Sequence, residues 1–319
     1  MRLLTTRVLA TGAATLTLCA PPGGALAAPL ADGPTARTTG RVPKPRTLAD
    51  LNTSMRGEAF AYASYRLFAA QARREGLRST ARLFDRTARV ELAEHFREEA
   101  MLSRLARGDA ANLRNAIAGE SYEHRTMYPR FARQARADGD RAAAALFTEI
   151  ARDEGGHLRR FRAALRFLQT GRGKVPAPAK VTPERVQAGP PKVRARRTMR
   201  NLDTAMHGEA LAHAKYMWFA EHARNRAVAR LFRGAAAMEL REHFAGEARL
   251  YGLVRATRAN LARAIAGERY ESRTMYPRFA RRAKAAGDAK AAARFRHNAA
   301  DEAKHMRAFQ RALRRLGRG

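Results

Sequence analysis

With 319 residues, 45% of them hydrophobic, the chain has material for about two domains, each able to bury a core. Its 62 Lys and Arg against 29 Asp and Glu give a formal net charge of +33, which excludes an acidic, low-complexity disordered chain. The lone cysteine, Cys19, excludes a disulfide scaffold, a cysteine zinc site, an iron–sulfur cluster and a thiol redox pair.

From the N-terminus, residues 1–27 read as a secretory signal peptide. Arg2 and Arg7 form its basic end, Val8 to Ala20 its short apolar run, and Ala25-Leu26-Ala27 a small-residue cleavage site that leaves Ala28 first. The apolar run is short for a membrane span, and Leu18 before Cys19 makes a poor lipoprotein site. The expected location is therefore secreted or extracytoplasmic. Residues 28–46, rich in Pro, Gly, Thr and basic residues, read as a flexible leader.

The rest is a tandem repeat. Asn112-Leu-Arg-Asn-Ala-Ile-Ala-Gly-Glu120 recurs as Asn260-Leu-Ala-Arg-Ala-Ile-Ala-Gly-Glu268, and Arg125-Thr-Met-Tyr-Pro-Arg-Phe-Ala-Arg133 recurs unchanged from Arg273 to Arg281. The boundaries are 47–169 and 198–317, joined by a Pro-rich basic linker at 170–197. Each copy reads as four helices. Apolar residues recur at three and four, as in Leu83, Phe84, Ala88, Leu92 and Phe96. Breaks fall near Gly76, Gly108-Asp109 and Asp138-Gly139-Asp140, with Asp140 as a cap. Pro129 and Pro277 lie inside the third helix and predict a local kink. The fold class is all-α, two tandem antiparallel four-helix bundles.

Acidic residues kept in both copies carry the chemistry. Glu58 lies on the first helix, Glu91 and Glu94 on the second, Glu120 and Glu123 on the third, and Glu154 with His157 on the fourth. The second copy repeats them as Glu209, Glu239, Glu242, Glu268, Glu271, Glu302 and His305. Residues three apart share a helix face, so each bundle can aim six carboxylates and one imidazole at a common centre. Bare carboxylates gathered in a core would repel and lose hydration, at a cost of several kcal/mol each. Two divalent cations per repeat, iron or manganese, would compensate in the ferritin-like arrangement. Glu99, Asp140 and Asp153 are read as surface charges or caps, and His95 as structural.

Both copies resemble the di-iron domain of the rubrerythrin family. The resemblance rests on Ala-Ile-Ala-Gly-Glu120-Ser-Tyr-Glu123, Met127-Tyr128-Pro129-Arg-Phe131-Ala132, Glu154-Gly-Gly-His157 and Arg160-Phe161. It extends through Gly57-Glu58 with Tyr65, and through Phe84 with Thr87-Ala88 before Glu91. It implies bridging roles for Glu91 and Glu154, and a terminal ligand of one metal at Glu58. Glu120 and His157 become terminal ligands of the other metal, and Glu123 the ligand of the oxidised state. The same roles fall on Glu239, Glu302, Glu209, Glu268, His305 and Glu271. Tyr65, Tyr128, Tyr216 and Tyr276 match tyrosines near the metals that support ligand carboxylates.

Two departures stand out. Glu94 and Glu242 stand where the family has a histidine, giving a harder oxygen donor set; a one-residue shift that brings His95 inward is the alternative. The four-cysteine rubredoxin domain is missing, so turnover would need an external electron donor. The resemblance implies a peroxide-reducing oxidoreductase. The alternatives are iron or manganese binding or storage without catalysis, and a basic helical protein that binds anionic cell-wall polymers or lipid surfaces. No nucleic-acid motif stands out. The linker would let the two copies pair within one chain as a pseudo-dimer, while copies from different chains could swap helices in a homo-oligomer; both stay open.

Overall fold

The structure is a computed structural model that describes residues 41–317; the signal peptide, Cys19 and residues 28–40 of the leader lie outside the described residues. Pro45 opens the first helix, α1 (Pro45–Arg74), in the turn where its missing N–H costs nothing. The second rod is α2 (Arg78–Val90), a π-helical turn at Glu91–Phe96, and α3 (Arg97–Leu102). The third is α4 (Asp109–Tyr122), a π turn at Glu123–Met127, and α5 (Tyr128–Ala137); the fourth is α6 (Arg141–Thr170).

The second copy repeats the plan. It runs through α7 (Arg196–His222), α8 (Arg226–Met238), a π turn at Glu239–His243 and α9 (Phe244–Tyr251). Then come α10 (Thr257–Tyr270), a π turn at Glu271–Met275, α11 (Tyr276–Ala285) and α12 (Ala289–Arg315). Among the described residues there is no strand, and no helix is long and apolar enough to cross a membrane. The break expected at Pro129 and Pro277 takes the form of a π turn ending just before Tyr128 and Tyr276. Gly76 and Gly139 turn the chain with φ of 75° and 79°, a left-handed conformation that suits glycine.

The repeats are not the bundles. Each ferritin-like four-helix bundle takes its first hairpin from one copy and its second from the other. Helices α1 and α2 pack with α10, α11 and α12, while α4, α5 and α6 pack with α7, α8 and α9. The aromatic cores explain why this pairing is specific. Phe309 of α12 lies 5.0 Å from Phe84 of α2 and 5.4 Å from Tyr65 of α1. Phe161 of α6 makes the matching contacts with Phe232 at 5.2 Å and Tyr216 at 5.4 Å. All six rings are buried, and each such ring contributes about 2–3 kcal/mol of transfer free energy. The two bundles join along α1 and α7. Here the exchange is between the two copies of one chain.

Carboxylates fasten the exchange at helix starts. Asp140 stands at the N-cap position of α6 but caps its neighbour instead, accepting the backbone N–H groups of Arg194 (2.9 Å) and Ala195 (3.1 Å) before α7. Asp288 accepts from Lys44 N (2.9 Å) before α1 in the same way.

The linker is a strap laid along α8, its π turn and α9. Glu184 N donates to Arg241 O at 2.8 Å, Gly189 N to Val254 O at 3.1 Å and Lys192 N to Leu250 O at 2.8 Å. Its own Val186 and Val193 are buried against the bundle. It can lie this close because Gly234 and Gly252 have no side chain. A Cβ on Gly234 would meet Pro178 Cβ at 2.1 Å, and one on Gly252 would meet Pro191 N at 2.5 Å. The first copy carries Arg86 and Arg104 at these positions.

Candidate metal centres

Two buried centres form, each from both copies. In the first, Glu58, Glu91 and His95 of the first copy meet Glu268, Glu302 and His305 of the second. The second joins Glu120, Glu154 and His157 to Glu209, Glu239 and His243. Each centre divides into two four-residue nests that share two carboxylates. Glu91 and Glu302 are common to Glu58 with His95 and to Glu268 with His305. Glu154 and Glu239 are likewise common to Glu209 with His243 and to Glu120 with His157. Shared carboxylates between paired nests are the geometry of a bridged pair of cations.

This corrects the expected grouping. Glu91 pairs with Glu302 and not with Glu154, because the hairpins are exchanged. It also corrects two ligands: Glu94 is exposed and Glu242 faces the strap, where its carboxylate accepts a hydrogen bond from Thr182 N. Their places are taken by His95 and His243, buried at 0% and 2% exposure. The reason is the π turn. It needs more than the 3.6 residues of an α turn to come round. The residue four after Glu91 therefore returns to its face, and the residue three after it does not. Glu123 and Glu271 stand half-buried beside the nests, three residues after Glu120 and Glu268.

The donor atoms fit cations. His95 Nδ1 faces Glu302 at 3.0 Å, Glu91 at 3.1 Å and Glu58 at 3.5 Å. His243 Nδ1 faces Glu239 at 2.8 Å, Glu154 at 3.0 Å and Glu209 at 3.4 Å. Donors about 2.1 Å from one ion at right angles stand about 3 Å apart. Both oxygens of Glu91 and Glu239 and both ring nitrogens of His95 and His243 are buried without a hydrogen-bond partner. Left so, each would cost its full desolvation energy; a bound cation would satisfy them. Asp301 and Asp153 stand behind the rings, 3.6 Å and 3.5 Å from His95 Nε2 and His243 Nε2. A carboxylate there orients the imidazole.

All four tyrosines reach a carboxylate from the other copy. Tyr65 donates to Glu268 at 2.6 Å, Tyr216 to Glu120, Tyr276 to Glu58 and Tyr128 to Glu209. Behind two of them lie further carboxylates: Glu99, which the sequence reading placed on the surface, and its counterpart Glu247. Glu99 and Glu247 are fully buried. Glu99 accepts hydrogen bonds from Ser54, from Asn298 Nδ2 at 2.9 Å and from Tyr276 at 3.5 Å, and Glu247 accepts from Tyr128 at 3.0 Å. Their recurrence in both copies was the available signal.

Burial and mutual repulsion set the titration. Burial, then the neighbouring Glu302, pushes Glu58 well above the ordinary carboxylate range. Burial and Glu154 do the same to Glu120. Glu123 and Glu271 are pushed to about 8, by burial and then by Glu154 and Glu302 respectively. Burial also acts against ionisation of Glu91, but His305 and His95 overcome it and hold this bridge down at about 2. His95, His157, His243 and His305 are raised: burial works against their charge, and the surrounding carboxylates outweigh it.

A pair of ferritin-like bundles, each with a buried carboxylate–histidine centre, defines the class. The chain belongs to the Rubrerythrin family, whose model matches residues 50–165 and 200–313. It is similar to Nigerythrin of Nitratidesulfovibrio vulgaris, 34% identical over 131 residues, 37% of this chain and 65% of that one. It is also similar to Rubrerythrin of Porphyromonas gingivalis, 36% identical over 139 residues, 40% of this chain and 69% of that one. The chain thus spans just under two thirds of the first of these relatives. A crystal structure of Symerythrin from Cyanophora paradoxa, reduced with dithionite, aligns at 24% identity over 63% of this chain and 83% of that one, with a TM-score of 0.19.

Proposed function

We propose that the chain is an exported di-iron protein that reduces hydrogen peroxide to water with electrons from an external donor. The observation that carries this reading is the pair of buried centres in which both oxygens of Glu91 and Glu239 and both ring nitrogens of His95 and His243 lack a hydrogen-bond partner. Iron pairs, when bound, would supply the two electrons that cleave the O–O bond. Two protons complete the balance, giving two waters from each peroxide.

The protein's own residues serve this chemistry in three ways. Glu91 with Glu302, and Glu154 with Glu239, would hold the metal at each centre from both copies. Tyr65, Tyr128, Tyr216 and Tyr276 fix the terminal carboxylates by donating to them, which preorganises the donors. Glu123 and Glu271 stand half-buried beside the nests, and in the cation-free protein burial and the neighbouring carboxylates push both to about 8, so their carboxyl oxygens can take up or release a proton there.

The test is anaerobic loading of the chelator-stripped chain with ferrous iron, then addition of hydrogen peroxide. Loading of about four irons per chain, oxidation by about one peroxide per two irons, and repeated turnover with a reductant are expected. Binding with a single stoichiometric oxidation would favour storage, and absence of oxidation would leave metal binding alone. Export through residues 1–27 is part of the proposal. It is checked by fractionating cells that express the full chain and reading the N-terminus, expected at Ala28.

The excess of basic residues supports a second reading that is compatible with the first. The buried centres hold twelve of the chain's carboxylate and imidazole groups inside, so the surface is left strongly basic. Retention on anionic wall polymer or lipid that vanishes at modest salt is expected.

A further inference from the structure

The two centres match donor for donor, but the walls around them differ. Their carboxylates are buried alike. Of the histidines, the side chains of His95, His243 and His157 are 0%, 2% and 3% exposed, whereas that of His305 is 14% exposed. The backbone around the last ring shares the difference. The stretch from Glu154 to His157 is buried throughout; in its counterpart only Glu302 is buried, Ala303 and His305 are half-buried and Lys304 is exposed.

At the second centre a roof lies over Gly155 and Gly156, the two residues between Glu154 and His157. The His124 ring fills the place of a side chain on Gly155, its Cε1 and Nδ1 standing 2.7 and 2.9 Å from where a Cβ would be. His124 belongs to the π turn of the third rod and donates from Nδ1 to Ala151 O at 2.6 Å, so it bridges that turn to α6. Arg160 folds back along α6 and brings Nη1 to 2.9 Å from the notional Cβ of Gly156. Beside this roof His157 Nε2 is buried without a hydrogen-bond partner.

The first centre has no such roof. The counterparts of Gly155, Gly156, His124 and Arg160 are Ala303, Lys304, Ser272 and Ala308. The Cβ of Ala303 takes the room that a ring would need. Ser272 turns its hydroxyl to Glu268 O at 2.6 Å, within its own helix, and makes no bridge to α12. Lys304 points outward, 66% exposed, to Asp301 at 2.6 Å. The far walls do not reverse this order. Asp153 is more exposed than Asp301, 37% against 14%, but the two face Nε2 of His243 and His95, rings that are themselves buried and turn Nδ1 to the nests.

We propose that the two centres differ in access: the first opens to small solutes at His305, while His124 and Arg160, closed over Gly155 and Gly156, seal the second. At the first centre a solute has only the ligand ring to pass; at the second the roof must part as well, a local opening with its own cost. Taken with the peroxide reading proposed above, on which this clause rests, hydrogen peroxide reaches the first centre before the second.

The experiment loads the chelator-stripped full chain with Mn²⁺ and follows release of the ions to an excess of a coloured chelator. Two phases of equal amplitude are expected, with rates about tenfold or more apart. Glu302→Ala should remove the fast phase and Glu154→Ala the slow one. His124→Ser with Arg160→Ala, which leaves every donor in place, should bring the slow phase close to the fast one at unchanged equilibrium affinity. Ser272→His with Ala303→Gly should build the roof on the first centre and slow the fast phase. Release in a single phase, or rates unmoved in both double variants, would overturn the difference in access. Absence of Mn²⁺ binding would overturn the two-cation reading and this proposal with it. The ferrous chain should react with hydrogen peroxide in the same two phases. Two phases of release without any oxidation would uphold the access difference and overturn the peroxide reading alone.

Discussion

The two centres carry the same donors in the same order, yet they are not copies of one environment. Behind the first, Glu99 has Ser54, Asn298 and Tyr276 as hydrogen-bond donors. Behind the second, the positions of Ser54 and Asn298 are Ala205 and Ile150, and Glu247 has only Tyr128 among the hydrogen bonds of the described residues. The strap covers the outer face of the second rod of the second copy, α8 to α9, where Gly234 and Gly252 make room; Arg86 and Arg104 stand at those places on the first copy's rod. The metal-facing shell has thus stayed alike while the supporting shell has diverged. Cation coordination demands a fixed set of donors, whereas a supporting carboxylate can be satisfied in more than one way.

The largest effect that could break this comparison is on metal content. Because each centre spans both copies, Glu91→Ala and Glu302→Ala should each remove about two ions per chain, and the double variant no more than either alone. Glu91→Ala combined with Glu154→Ala should remove all four. If instead Glu91→Ala with Glu154→Ala matches the single variants, the centres lie within copies and the exchanged arrangement is wrong.

Next in size is the exchange core. Phe309→Ala should cost about 3–5 kcal/mol in denaturant unfolding, and the metal class lost with it should be that of Glu91. Loss of the Glu154 class instead would contradict the contact of Phe309 with Phe84 and Tyr65.

A pH series sharpens the role of the ions in both centres. Glu123 and Glu271 have folded values of about 8 against an ordinary 4.5, so between these limits the folded apo-protein binds more protons than the unfolded chain. Their stabilisation is fully present below about 4.5 and is lost as pH rises through about 8. The raised histidines act in the same direction above their ordinary value of 6.5. Glu91, held at about 2, contributes stability only above that value, and its contribution is complete by about 4.5. The melting temperature of the chelator-stripped chain should therefore fall from pH 5 to pH 8. That of the Mn²⁺-loaded chain should fall less or rise, since binding needs deprotonated carboxylates. Parallel curves for the two forms would argue that these groups do not face a cation.

Smaller effects separate the supporting shells. Asn298→Ile, which installs the second centre's residue in the first, should cost about 1–3 kcal/mol by stripping a donor from buried Glu99. Ile150→Asn should cost less if its amide finds Glu247. Smallest of all, Gly234→Arg should lift the strap and expose residues 174–190 to proteolysis while leaving the metal content of both centres in place.

The sequence determined a good deal alone. Three-and-four periodicity gave the helices, and Gly76, Gly108 and Gly139 gave their breaks, because these are local properties of the backbone and of one helix face. The recurrence of Glu58, Glu91, Glu120, Glu154 and His157 gave most of the donors, because buried like charges have few explanations other than a cation. Tertiary structure decided what local pattern could not. Only the π turn turned His95 and His243 inward in place of Glu94 and Glu242, since a helix read at 3.6 residues per turn points the wrong residue to the core. Only long-range packing of Phe309 on Phe84, and of Phe161 on Phe232, chose which hairpins meet, since two copies with the same core pattern offer like faces to each other as to themselves.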